Sequence, residues 1–505
     1  MRTRSAVSVT SVLACAALVL GACSSSDDDA SPVSTTTAAS TTTTQPRPAG
    51  PAADMTNELT GGNGVFIGEG SPPDLGAMGY VQREYEATGR ASSYAAAGAL
   101  PANGRWKFVT NGTAPYRTRV LVRAPEDPSK FSGDVMFEWL NVSGGVDANP
   151  EWTSAADEIV RSGDVWVGVS AQRIGVEGGP VLVKVEGIPG IEAAGKGLKK
   201  VDPARYGDLE HPGDAYAYDI FSQVGRAVRA GAGLAGLEPQ RVIAGGESQS
   251  AFTLVSYYNG VQPLTQAFDG FLVHSRNKVG QPLAEPGANA DIQNALSGEA
   301  VIFRTDQDAP VVDIQTENDV DSIFSSYEAR QSDSDTFRLW EVAGTAHADA
   351  HLIGPANVQY IDCGVPINNG PMHIVAQAAW HALKAWLATG AEPARAPRLE
   401  LTDDAKAQIV RDADGIALGG IRTPPVDVPV SALSGQPGPD PSVICLLLGS
   451  SKPLAKARLA ELYSSRDDYE QKFAAAADQA IAAGFVLQAD REALLDFAEP
   501  DRIAG

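Results

Sequence analysis

The sequence predicts an α/β fold, with a mostly parallel central sheet flanked by helices and a C-terminal helical elaboration. Three observations carry this expectation. Short apolar runs alternate with helical patterns from about Asp54 onward, as strands and crossover helices of one sheet do. The runs are nearly continuous in apolar character, which indicates strands buried on both faces and hence parallel pairing. One run passes through a tight Gly/Ser turn directly into a helical segment. The composition agrees: of 505 residues 43% are hydrophobic and 20% charged, with 51 glycines and 33 prolines, which fits a loop-rich globular chain better than a disordered or fibrous one. Lys and Arg number 39 against 62 Asp and Glu, a net charge of −23. That balance argues against nucleic acid as a partner, because a phosphate backbone needs a basic face.

The elements follow in chain order. Arg2 and Arg4 precede an apolar run over residues 6–20, shorter than the ~20 residues of a spanning helix but suited to an export signal. It ends in Leu20-Gly21-Ala22-Cys23, which looks like a bacterial lipobox. Residues 1–22 are therefore expected to be a lipoprotein signal peptide and Cys23 the lipidated new N-terminus. Residues 23–54 read as a disordered tether, since 13 of the 25 residues from 24 to 48 are Ser or Thr and such a stretch cannot bury a core. The chain is thus expected on the extracytoplasmic face of the cell membrane, held by its N-terminal lipid. Removal of Cys15 and acylation of Cys23 leave Cys363 and Cys445, a candidate disulfide in an oxidising compartment.

Residues 116–124, 135–140 and 165–169 read as early strands. Ile220, Phe221, Val224 and Val228 fall on one helical face after Pro212-Gly213-Asp214 supplies a start. Residues 241–244, 271–274, 310–315 and 337–343 read as later strands, and 374–387 as a helix carrying Val375, Ala379, Leu383 and Trp386 on one face. Residues 55–400 form the expected core. Residues 401–505 are expected to pack on it as an extension, with helices around 467–483 and 491–498 and too little strand for a sheet of their own.

The segment Gly246-Glu-Ser-Gln-Ser250, between the run at 241 and the helical residues 251–258, has the strand, sharp turn and helix of a nucleophile elbow. Such a turn exposes the Ser248 hydroxyl and demands small residues two places before and after it; Gly246 and Ser250 satisfy this, although a second glycine is the usual choice. A serine hydroxyl needs a base to take its proton and an acid to orient that base. Asp319, with Glu317 as the alternative acid, lies in the polar turn after the strand at 310, and His347 follows the next strand. The order serine, acid, histidine is the one this architecture uses. Gln249 and either Val142 or Ser143, in the Asn141-Val-Ser-Gly-Gly145 loop, are candidates for the oxyanion-binding amides. His347 and His351 with Asp349 between them have metal-ligand spacing, but no third ligand is evident and no metal is expected. His211, His274, His373 and His381 read as structural. The insert at 172–214 reads either as a border of the pocket, with Tyr206 and Trp152 as candidate lining residues, or as a solvated loop.

The strings Phe137-Glu-Trp-Leu-Asn-Val-Ser-Gly-Gly145, Asp202-Pro-Ala-Arg-Tyr-Gly-Asp-Leu-Glu-His-Pro-Gly-Asp214, Tyr218-Asp-Ile-Phe-Ser-Gln223, Gly246-Glu-Ser-Gln-Ser250, Ala343-Gly-Thr-Ala-His-Ala-Asp349 and Pro366-Ile-Asn-Asn-Gly-Pro371 together resemble the bacterial alpha/beta hydrolase domain-containing proteins, from about Gly79 to Ala498. The resemblance implies an α/β-hydrolase fold with Ser248 as nucleophile and His347 as base. It implies no particular substrate. The expected function is a lipid-anchored serine hydrolase of carboxylic esters working through an acyl-enzyme, with a small-molecule ester or a lipid as substrate and no cofactor. An acyltransferase using the same triad, and a non-catalytic cell-envelope binding lipoprotein with this fold, are the alternatives.

Overall fold

The computed structural model describes residues 47–503 apart from Glu186 and Pro189. The expected signal peptide, the lipidation site Cys23 and most of the tether lie outside the described residues. Nine strands form the central sheet: β1 (Asp54–Glu58), β2 (Tyr80–Ala96), β3 (Phe108–Pro125), β4 (Asp134–Trp139), β5 (Val165–Val169), β6 (Arg241–Glu247), β7 (Gly270–His274), β8 (Val311–Thr316) and β9 (Phe337–Val342). Their order is β1-β2-β3-β5-β4-β6-β7-β8-β9. From β5 across to β9 every pair is parallel, and β1, β2 and β3 join at one edge by antiparallel pairing.

Every residue of β4, β5, β7, β8 and β9 is buried, because helices cover both faces. Helices α1 (Pro150–Ser162), α2 (Ala217–Arg229), α3 (Gln249–Ser256) and α4 (Met372–Thr389) do this work. Ile159 of α1 and Val375, Ala379 and Leu383 of α4 pack with Met136, Ile243, Leu272 and Trp340 on one face. Phe221 and Val224 of α2 and Leu254 of α3 pack with Phe137, Val167, Val242 and Phe271 on the other. Each fully buried side chain of this size contributes about 1.5–3 kcal/mol, so the two layers dominate the stability of the sheet.

Strands β1 and β2 have no counterpart in the apolar runs. In β2 the inward positions include Glu84 and Glu86. Glu84 pairs with Arg119 of β3 at 3.2 Å and with Arg205 at 2.5 Å, all three side chains being nearly or wholly buried. One face of β2 is held by these charge pairs, while Tyr85, Ala87 and Ala91 on the other join the hydrophobic core.

The C-terminal residues do form a small sheet, contrary to the sequence expectation: β10 (Ser431–Ser434) pairs antiparallel with β11 (Ser450–Pro453). Four-residue strands rich in serine carry no apolar signal. Helix α5 (Arg466–Ala482) packs Ala477 and Ala480 against Ile374 of α4. Val342 at the end of β9 bridges Ile421, and a disulfide joins Cys363 to Cys445 with Cα atoms 5.4 Å apart. Among the described residues no helix is long and apolar enough to cross a membrane.

Candidate active site

Strand β6 ends at Glu247, and α3 begins at Gln249, so Ser248 alone makes the turn. It does so at φ 60°, ψ −123°, a conformation costing a non-glycine residue of order 1–3 kcal/mol. The neighbours explain why the turn is possible. A Cβ on Gly246 would come within 2.9 Å of the Ser250 Cβ, so glycine at 246 and a small residue at 250 let helix and strand approach. The Ser248 amide donates to the His274 carbonyl at 2.9 Å, fixing the turn to β7.

The Ser248 hydroxyl faces the Nε2 of His347 at 2.8 Å. On the other side of the ring, Nδ1 lies 2.6 Å from Oδ1 of Asp319. Three further groups hold Asp319 through its other oxygen: the Thr316 amide at 2.7 Å, the Thr316 hydroxyl at 2.6 Å and the Ser275 hydroxyl at 2.7 Å. Burial works against its charge, yet His347 and these donors hold its carboxyl below the usual range. The His347 amide donates to Asn318 Oδ1 at 2.7 Å and the ring packs on Phe324, centroids 4.6 Å apart. Orientation of the imidazole is therefore fixed from backbone, acid and face. Ser275, Thr316 and Phe324 were not among the sequence candidates; Ser275 and Thr316 sit at the ends of β7 and β8, and Phe324 carried no signal.

Glu317 takes a different place. Its Oε1 accepts from the Gly344 amide at 2.6 Å, while Oε2 accepts from Arg411 at 2.7 Å and the Gly435 amide at 2.9 Å. It joins the core to the C-terminal extension and makes no contact with His347 among its hydrogen bonds.

Of the oxyanion candidates, Gln249 opens α3, so its amide has no intrahelical acceptor. The Val142 amide meets only the Gln249 side-chain oxygen, at 3.4 Å, too long for a strong bond. The Ser143 amide is taken: it donates to Asn141 Oδ1 at 2.8 Å, an Asx turn that the sequence reading did not resolve. Gln249 and Val142 are thus the candidate amides without a strong hydrogen bond of their own, and the Ser143 amide is committed.

A cleft of about 210 Å³, open to solvent, exposes Ser248 and His347; Val183, Val185, Leu352, Ile353, Ile444 and Leu447 supply much of its apolar lining. The insert borders it through the two valines. Tyr206 and Trp152 do not line it: Tyr206 is buried with Val176, Leu198 and Leu209 and bonds to Glu84, and Trp152 stacks beneath the Arg123 guanidinium at 4.5 Å. Ile444 and Leu447 flank Cys445, so the disulfide anchors that wall. Sequence patterning offered no signal for a wall nearly two hundred residues from the nucleophile.

The other histidines sort by their contacts. His351 stacks on His373 at 3.7 Å and donates from Nε2 to the Thr153 carbonyl, so it does not share a ligand sphere with His347. His211 meets the Ala171 carbonyl and His381 meets Glu158. His274 is buried, with Nδ1 3.4 Å from Glu151 and 3.5 Å from Glu247. Burial pushes Glu247 up to about 8; burial opposes a charge on His274, but the two facing carboxylates carry it up to about 9.

Comparison with known proteins gives one extensive match and several distant likenesses. A search of curated proteins finds no match. Among solved structures, the chain is similar to a serine hydrolase without lid from Xanthomonas campestris, at 14% identity over 54% of this chain and 91% of that one, TM-score 0.31. It is similar to a thermostable esterase from Pseudomonas putida, at 14% identity over 63% and 85%, TM-score 0.31. A serine hydrolase homologue from Coxiella burnetii aligns at 13% identity over 45% and 82%, TM-score 0.24. The assignment rests instead on the family model of the alpha/beta hydrolase domain, which matches residues 40–496, and with nearly the whole chain covered the protein belongs to that alpha/beta hydrolase family.

Proposed function

We propose that the protein is a serine hydrolase of carboxylic esters, working through an acyl-enzyme and held by a lipid on Cys23 at the extracytoplasmic face of the membrane. The observation that carries the catalytic part is the continuous hydrogen-bonded path from Ser248 Oγ through His347 to Asp319, opening on an apolar cleft. The lipid anchor rests on the Leu20-Gly21-Ala22-Cys23 motif alone.

In this reading His347 Nε2 takes the hydroxyl proton as Ser248 Oγ bonds to the ester carbonyl carbon, and the carbonyl oxygen becomes an oxyanion. The amides of Gln249 and Val142 bind that oxygen where charge develops. Asp319 remains ionised, keeps the Nδ1 proton in place and stabilises the imidazolium. Collapse of the intermediate breaks the bond to the alcohol, which leaves with the proton from His347. Water then attacks the acyl-Ser248 ester, gives its proton to His347, and the acid departs as Ser248 recovers the proton. The apolar side chains of Val183, Val185, Ile444 and Leu447 suit an aliphatic acyl or alcohol portion.

Turnover of a p-nitrophenyl ester series, with Ser248→Ala as control, tests the reading. Hydrolysis by the native chain, lost in the control together with labelling by a fluorophosphonate probe, is the expected result. Equal rates in the two proteins, or no labelling of the native chain, would refute it.

A further inference from the structure

Directly behind the nucleophile, three buried side chains converge whose geometry is not that of a hydrogen-bonded network. Glu151 lies in the first turn of α1, Glu247 ends β6 and His274 ends β7. Their exposures are 0%, 2% and 2%. Both carboxylate oxygens of Glu151, Oε2 of Glu247 and Nδ1 of His274 are without a hydrogen-bond partner. His274 is the ion-pair partner of both glutamates, and among the described residues no Lys or Arg pairs with either.

With both carboxylates ionised and His274 neutral, the cluster holds negative charge that the interior does not tolerate, so either protons or a cation must balance it. Hydrogen bonds between them would bring the atoms to about 2.7–3.2 Å. The imidazole nitrogen instead stands 3.4 and 3.5 Å from its two carboxylate oxygens, and one ligand atom from each residue lies within 4.8 Å of the others. A cation bound at about 2.0–2.2 Å by tetrahedral ligands holds those ligands about 3.3–3.6 Å apart. The two spacings from the imidazole nitrogen match that edge. A cavity bordered by Ser154 and Asp349 adjoins Glu247 and His274, with space for a water as a further ligand.

We infer that Glu151, Glu247 and His274 form a site for one first-row divalent cation of zinc size, Zn²⁺ or Mn²⁺, which braces the nucleophile turn. One nitrogen and two carboxylate oxygens are donors both ions accept, and a dication neutralises the two carboxylates with His274 neutral. The ion ties the ends of β6, β7 and α1 together one residue from Ser248. It takes no part in the acyl transfer proposed above, and the site stands or falls independently of that reading.

The test is metal content and binding, read without any enzyme assay. Elemental analysis of the purified full chain should find about one equivalent of Zn²⁺ or Mn²⁺. After chelation, titration with each metal alone should restore one equivalent and raise Tm. The isosteric Glu151→Gln and the separate His274→Asn should each weaken binding tenfold or more. A native chain that purifies metal-free and binds neither ion stoichiometrically would overturn the inference and leave a protonated His274 between the glutamates. Unchanged affinity in both variants would overturn it equally, by placing the metal elsewhere; if neither variant folds, the native titration decides alone.

Discussion

Asp319→Asn is the substitution in which the surroundings dictate the outcome. Oδ2 of Asp319 accepts from the Thr316 amide, the Thr316 hydroxyl and the Ser275 hydroxyl, and Oδ1 accepts from His347. An asparagine has one oxygen and one NH₂ to cover both sides. The Thr316 amide cannot reverse its polarity, so the oxygen must stay on that side and the NH₂ must face His347 Nδ1. His347 then has to accept at Nδ1 and carry its proton on Nε2, where it points at Ser248 and can no longer take the hydroxyl proton. A wrong tautomer with intact geometry costs about 10⁴ in kcat in triads of this kind, about 5 kcal/mol of transition-state stabilisation by the usual conversion. KM should be little changed, since the cleft walls are untouched. The companion Glu317→Gln removes a wholly buried charge opposite Arg411, and leaving that partner uncompensated costs about 3 kcal/mol of stability; kcat per folded molecule should stay within about threefold. The assay is steady-state ester hydrolysis of both variants at a temperature where each is folded by circular dichroism, with urea midpoints measured alongside. If Glu317→Gln loses kcat as deeply as Asp319→Asn while remaining folded, the assignment of the acid is refuted.

Four further outcomes are expected. Cys23→Ala should move the exported protein from the membrane to the soluble fraction, because stable attachment needs the diacyl chain; retention of the variant in the membrane fraction would contradict the proposed anchor. Replacing Cys363 and Cys445, which are 82 residues apart, by serine should lower stability by about 4 kcal/mol on the chain-entropy account, and the unreduced, denatured native protein should titrate no thiol at either position. His373 is partly buried, and its desolvation beside His351 holds its pKa down to about 3 against the usual 6.5, so below pH 6.5 the unfolded chain takes up a proton that the folded chain refuses. Its contribution is therefore flat above pH 6.5 and falls by about 1.4 kcal/mol per pH unit towards pH 3; urea midpoints of His373→Gln should lose less on acidification than those of the native protein. Ile444→Trp should shorten the longest p-nitrophenyl ester accepted, seen as a rise in KM for long chains with short ones unaffected, since Ile444 lines the cleft.

The parallel half of the sheet was legible because burial on both faces leaves no choice of residue: β4, β5, β7, β8 and β9 are buried at every position and read as unbroken apolar runs. The antiparallel edge was not, because β2 places Glu84 and Glu86 inside; the partners of Glu84, Arg119 and Arg205, lie 35 and 121 residues downstream, and Glu86 pairs with Arg117. No local pattern encodes a pairing at that distance. Ser248 was legible for the opposite reason: the elbow is a local constraint, written in Gly246 and Ser250 within two residues of it.

The same distinction separates Asp319 from Glu317. Both sit in one polar turn after β8, and local chemistry lets either point at a histidine. What removes Glu317 from that role is its set of partners, Gly344, Arg411 and Gly435, at separations of 27, 94 and 118 residues. Two of these belong to the C-terminal extension. The extension therefore reaches the site twice, once by binding the carboxylate two residues before Asp319 and once by setting Ile444 and Leu447 against the cleft. Without it Glu317 would be a buried charge lacking its Arg411 partner, and such a group moves towards solvent or takes up a proton. Either response would disturb the turn that presents Asp319 to His347. The extension is on this account a part of the site's framework, while also burying a cluster of its own around Val430, Leu459, Tyr469 and Phe473.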